Sequence, residues 1–218
     1  MRQDGASATE PWNLAVDLFW LSQDDHSGKA LLPATRCGLG IGSALLAELT
    51  IAEYVRLDDD LVVPIGSLPP PNTLADQVFT LMLTEPAPLP LGTWLSYLSR
   101  TARDDVGRYL EGQGLVHEHR SRLRRSTKWP PTDLNAAGKP ESTLRLLVMG
   151  GRPWSVTDSV LCCLSDATGL LGHVLGAEDS RSARLAIPTV TDRLPPMIRS
   201  LLRHTRAALS AAVLSERR

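Results

Sequence analysis

The stretch Arg36-Cys37-Gly38-Leu39-Gly40-Ile41-Gly42-Ser43 decides how the rest of the chain is read. Glycine recurs at every second position just before an apolar helical pattern, and two readings compete. Glycines ahead of a helix permit close backbone approach, and a helix N-terminus attracts anions. Asp58 and Asp59 follow about twenty residues on, where a dinucleotide fold holds its ribose. The pattern then departs from that fold. Gly38, Gly40 and Ser43 lack the last glycine of G-x-G-x-x-G, and Pro33 leaves only the short Lys29–Leu32 as the strand the motif needs. Ser43-Ala44 stands where a phosphate loop carries lysine and Ser/Thr. The stretch reads as the tight start of a helix, not as a nucleotide loop.

The chain has 218 residues, 43% of them apolar, enough for one domain with a real core. No apolar run approaches the roughly 18 residues of a membrane-spanning helix. Residues 1–12 are polar and acidic, read as a flexible N-terminus and not as a signal peptide, ahead of a helical domain over 13–214. These features point to the cytoplasm, with a peripheral position on the inner face of a membrane open to the protein. Cys37, Cys162 and Cys163 make no disulfide framework and read as small buried apolar groups.

The net charge of −1 hides a segregation. Residues 1–90 carry four basic and twelve acidic side chains, residues 91–129 eight and four, and residues 130–218 eleven and eight. The middle of the chain is electropositive, which suggests an anionic partner there.

Apolar spacing predicts a helix over 13–22, a short strand over 29–32, a helix over 37–52, and two short strands in YVRLDDDLVVPIG. Asn72 or Thr73 caps the next helix, which ends near Glu85. One long helix is expected from Leu91 to Gly112, and a strand or hairpin from Leu115 to Lys128. Glu141–Met149 reads as a helix, Ser155 and Asp158 as a capping box for the helix after it, and the C-terminal segment from Pro195 as a last helix. The fold class is mainly α: a single globular helical domain with short strands and a basic β-hairpin.

This order of elements resembles the Golgi phosphoprotein 3 family, and in particular its bacterial-type members. The resemblance is carried by LAVDLFWLSQDDHSGKALLPATRCGLGIGSALLAELTIAEYVRLDD, LSRTARDDVGRYLEGQGLV, SRLRRSTKWPPTD and DSVLCCLSDATGLLGHVL, and it covers most of the chain. It implies a non-enzymatic peripheral membrane adaptor that binds anionic lipid headgroups, phosphatidylinositol 4-phosphate among them, and a protein client that the sequence does not name. The family's lipid site uses a tryptophan, an arginine of the second helix, and two arginines three residues apart in the long helix. The arginine pair falls on Arg100 and Arg103. The other two positions are Pro33 and Gly42, and Arg36 is the nearby cation that stands in.

Paired guanidiniums suit phosphate because each donates two parallel hydrogen bonds. The family's hairpin tip is apolar in its eukaryotic members; here it carries Arg120, Arg122, Arg124, Arg125 and Lys128, followed by Trp129. On a strand, Arg120, Arg122 and Arg124 share a face. Such a face attracts anionic headgroups at roughly 1 kcal/mol per residue, and Trp129 is expected at the level of the membrane interface.

Plainer readings stand beside these. Arg100 and Arg103 suit a solvated helix face neutralised by Asp104 and Asp105, and the arginine run suits an exposed edge protected by charge. His117 and His119 lack the further ligands zinc needs, so neither a metal nor a cofactor is expected. No nucleophile and base stand in a catalytic pattern. The alternative function is a winged-helix-like nucleic-acid binder, which Asp104, Asp105 and a pI of about 6.5 argue against.

Overall fold

The computed structural model describes residues 13–216 apart from Ser67 and 121–126. In chain order the elements are α1 (Leu14–Leu21), α2 (Ala34–Ile51), β1 (Val55–Asp58), β2 (Leu61–Pro64), α3 (Thr73–Thr84), β3 (Leu89–Pro90), α4 (Leu91–Leu98), α5 (Ala102–Gly112), β4 (His119–Arg120), β5 (Thr127–Lys128), α6 (Leu134–Val148), α7 (Val156–Thr168), α8 (Leu171–Asp192) and α9 (Pro196–Glu216). The fold is mainly helical, as expected. Among the described residues no single helix is long and apolar enough to cross a membrane.

The centre is α2. Every residue from Cys37 to Thr50 is buried, because α1, α4, α5, α7 and α9 pack around it. The glycines lie inside this helix, as in the expected helix over 37–52, but the helix starts three residues earlier, at Ala34, so they occupy its second and third turns and not its tight start. Pro33 is the N-cap residue, and the helix runs from Ala34. A Cβ on Gly38 would lie 1.9 Å from the Ser99 carbonyl oxygen, and one on Gly42 would lie 2.8 Å from Leu98 Cβ. These glycines are four apart and share a face, and the end of α4 fills the space left there. A Cβ on Gly40 would sit 2.7 Å from Thr168 Cγ2 and 3.2 Å from Leu18 Cδ2. The glycines shorten the distance between α2 and its neighbours on two sides.

The long helix expected over 91–112 is also corrected. It is two helices, broken at 99–101, where the N–H groups of Arg100 and Thr101 reach back only three residues, to Tyr97 and Leu98. The break brings the Ser99 carbonyl against Gly38. Two further expectations shift. The strand over 29–32 reduces to a single bridge between Gln23 and Ala30. The helix expected from Glu141 starts at Leu134, because the Asp133 carboxylate caps it by accepting the Asn135 N–H at 2.8 Å, and Pro140 is accommodated inside it. The segment after Gly169 forms α8, bent at Gly176, whose φ is 75°.

Local chemistry explains the elements that match. Asn72 accepts the N–H groups of Leu74 and Ala75 at 2.9 and 3.2 Å. Ser155 and Asp158 form the expected capping box on α7, and Arg152 holds the Asp158 carboxylate by two bonds at 2.8 and 2.7 Å. β1 and β2 pair antiparallel with Asp58 opposite Leu61, so Asp59 and Asp60 form a two-residue turn with φ of 45° and 74°. Both central residues at positive φ is the turn whose twist suits a hairpin, and aspartate tolerates it.

α1 has no side-chain cap of its own at Asn13. Its buried first-turn donors are met from α2: Glu48, only 1% exposed, accepts the Ala15 N–H at 2.9 Å. Burial pushes the Glu48 carboxyl up to about 8, the Ala15 and Leu14 N–H groups oppose this, and Asp17 adds to it. Asp17 itself is raised to about 6 by burial, offset by Lys139 and reinforced by Asp158.

Two predictions follow from this packing. Gly38→Ala is expected to lower stability by about 1–3 kcal/mol through overpacking. Gly138→Ala, where a Cβ meets nothing within 4 Å, is expected to raise it by about 0.5–1 kcal/mol; urea unfolding of both variants checks the contrast. For Glu48, the folded state holds a proton that the unfolded chain releases, between its ordinary 4.5 and about 8. Its contribution is therefore present below about 4.5 and lost as pH rises through 8. Melting temperature should fall across that window, and Glu48→Gln should flatten the fall; an unaltered slope would refute the assignment.

Candidate functional site

The basic hairpin is held to the body by its base. β4 and β5 pair His119 with Lys128 and Arg120 with Thr127. Below them Trp129 is fully buried, with 0% exposed. Its indole ring lies against Gly107, where a Cβ would meet Cε2 at 2.3 Å, and its Nε1 donates to Asp104 at 3.4 Å. The Trp129 N–H donates to the Gly28 carbonyl at 3.1 Å. Gly28 has φ of 61°, and a Cβ there would fall 2.1 Å from the Trp129 carbonyl carbon, so only glycine fits.

Arg103 closes this junction. Its Nη1 donates to the Thr127 carbonyl at 3.1 Å and its Nη2 to the Gly28 carbonyl at 3.4 Å. The guanidinium carbon lies 5.8 Å from the Phe19 ring centroid, a cation–π approach. Burial lowers the Arg103 pKa from its ordinary value, and Cys37 and Asp104 oppose that shift. One planar fork thus joins two carbonyls from segments far apart in sequence.

The residues singled out from sequence do not gather in one pocket. Arg100 is exposed in the break between α4 and α5, so it does not share a helix face with Arg103, which points inward. Arg36 is in the first turn of α2 and lies 3.5 Å from the Glu216 carboxylate at the end of α9. It is two residues from Gly38, about 200° round the helix, so it faces α7 and α9, away from Arg100. Pro33 and Gly42 serve the start of α2 and its packing on α4.

Trp129 is not at an exposed interface; its ring fills the space that Gly107 leaves. Arg120 is exposed and ion-paired with Glu118, and Lys128 is half-buried on β5. Arg122, Arg124 and Arg125 lie outside the described residues. Among the described residues no three His, Cys, Asp or Glu side chains stand where they would hold a metal ion.

Sequence reasoning missed the parts of the junction other than its arginine and tryptophan. Gly28, Asp104 and Gly107 carry no local signal, since their partners are brought to them only by the folded chain. The cysteines match the sequence reading: all three are buried. Burial, then Cys163 and Asp166, pushes Cys162 up to about 12. Burial also raises Cys37 and Cys163. These are protonated thiols, not poised nucleophiles. A cavity of about 540 Å³ lies between α3, α4 and α5, with an apolar wall of Leu74, Val78, Leu81 and Tyr97 and with Asp76 and Asp105 beside it.

No curated protein matches the chain. The family model of Golgi phosphoprotein 3 (GPP34) matches residues 14–205, from the start of α1 into α9. A match over most of the chain, on a mainly helical fold, settles the family: the chain belongs to the Golgi phosphoprotein 3 family.

Proposed function

We propose that this protein is a non-enzymatic peripheral adaptor, cytoplasmic and recruited to the inner face of a membrane, that docks on anionic lipid headgroups through its hairpin. The observation that carries this reading is the Arg103 junction. It fixes the base of a hairpin whose connection, residues 121–126, contains Arg122, Arg124 and Arg125. Arg120 and Lys128 flank that connection, and exposed Arg100 lies three residues before the clamp. Arg103 thereby acts as a positioning residue for the base of the hairpin, through the Thr127 carbonyl. Arginines on such a loop contribute through headgroup attraction, not insertion. Family membership supports the reading. Arg100 is the residue proposed to add preference for a phosphorylated headgroup such as phosphatidylinositol 4-phosphate, because a free guanidinium can bind phosphate bidentately. The protein client has no assigned surface.

Replacing Arg122, Arg124 and Arg125 together with alanine removes about 3 kcal/mol of headgroup attraction, so co-sedimentation with anionic vesicles should weaken roughly 100-fold. Unchanged binding would sink the proposal, and equally tight binding to duplex DNA at matched salt would favour the nucleic-acid alternative. Arg103→Lys leaves a single-point donor that cannot bridge both carbonyls. It should destabilise the fold by about 1–3 kcal/mol and weaken vesicle binding while keeping the helical circular dichroism. Full vesicle affinity in this variant would dissociate the clamp from docking.

A further inference from the structure

A smaller cavity, about 190 Å³, lies between the 23–31 turn, α6 and the start of α8. Trp20, Gln23, Asp24, Asp25, Glu141 and His173 are among its lining residues. Gln23 is only 3% exposed. Its Nε2 donates to the Trp129 carbonyl at 3.2 Å, and this fixes the amide orientation. The other branch, Oε1, is a buried acceptor with no hydrogen-bond partner among the described residues. A buried acceptor left without a donor is uncommon and calls for an explanation.

The carboxylates around it are unequally occupied. Asp24 accepts the Ser27 N–H at 2.8 Å and its hydroxyl at 2.7 Å. Glu141 accepts from Arg145 at 3.0 and 2.8 Å, but Arg145 also reaches Asp179 and the Val174 carbonyl. Asp25 makes no ion pair among the described residues. Burial, then the Glu141 and Asp24 charges, hold its carboxyl above the ordinary range, with His26 opposing. Among the described residues no donor meets Gln23 Oε1 and none pairs with the Asp25 carboxylate.

A metal ion does not answer this, because no three candidate ligands converge in the described residues. A larger cation with several N–H donors does. Trp20 and Leu31, both lining the cavity, supply an apolar wall for a short stem. We propose that this pocket binds an organic cation, a guanidinium or primary ammonium on a short alkyl stem, with its donors meeting Gln23 Oε1 and the Asp25 carboxylate. The group comes either from a free small amine or from an Arg or Lys side chain of a partner protein. The site is separate from the anionic-surface reading and stands or falls without it.

The experiment titrates the full chain with agmatine and with the capped tripeptide acetyl-Gly-Arg-Gly-amide, at constant ionic strength. Calorimetry and the ¹⁵N–¹H signals of the Gln23 side-chain amide and Trp20 indole are the readouts. Agmatine is expected to shift both signals. Asp25→Asn should weaken binding roughly tenfold through loss of one charge-assisted bond. Leu31→Trp, at a residue 38% exposed, should block the pocket independently. Equal binding of the tripeptide assigns the pocket to a partner's side chain, and binding of agmatine alone assigns it to a free amine; either supports the site. No binding of either probe, shifts reproduced by sodium chloride, or affinity unchanged in both variants would overturn it.

Discussion

The fold depends on how closely α4 can approach α2. The Ser99 carbonyl lies 1.9 Å from where a Cβ on Gly38 would be, so the contact exists only because that position has no side chain. From this contact the rest follows. It sets the end of α4 against the core, places the break at 99–101, and so fixes where α5 begins. Arg103 is on the first turn of α5, and its reach to Thr127 and Gly28 is determined by that placement. The same stretch of glycines that resembles a phosphate loop therefore acts through packing, and its influence on any anion-binding surface is indirect.

Arg103 and Trp129 have exchanged the roles that sequence suggests for them. An arginine expected to face a ligand is a buried fork between two carbonyls. A tryptophan expected at a membrane interface is a core residue seated on Gly107. Both changes serve one end, because they anchor the base of the hairpin to the body of the fold. Residues of α5 and of the Gly28 turn position the base of the hairpin at Thr127 and Trp129.

Elements fixed by local chemistry were legible in the sequence. The Ser155–Asp158 capping box, the Asn72 cap and the Asp59-Asp60 turn each depend on side chains within four residues of the backbone they serve. The mainly helical class and the family were legible from spacing and order. What escaped was non-local. Gly38, Gly40 and Gly42 read as the tight start of a helix, but the close approach they permit is to Ser99 and Thr168, distant in sequence, and that packing offsets the low helix propensity of glycine. The break at 99–101 leaves the apolar period intact, so no pattern reveals it. The helix expected over Glu141–Met149 starts earlier, at Leu134, where Asp133 caps it. Of the candidate site, the charge segregation was visible, but the separation of Arg36 from Arg100 was not. Two residues' difference on α2 turns a side chain to the opposite face.

The most direct test of the central claim, that an anchored basic hairpin meets anionic surfaces, is local. An environment-sensitive fluorophore is placed on Leu123→Cys and, separately, on Leu185→Cys, which is 75% exposed on α8; the three native cysteines are buried and do not compete for label. Emission is then recorded with neutral vesicles and with anionic vesicles at two salt concentrations. The account predicts a blue shift at 123 with anionic vesicles alone, reversed by salt, and none at 185. A shift at 185 instead, or no difference between vesicle types at 123, would contradict it.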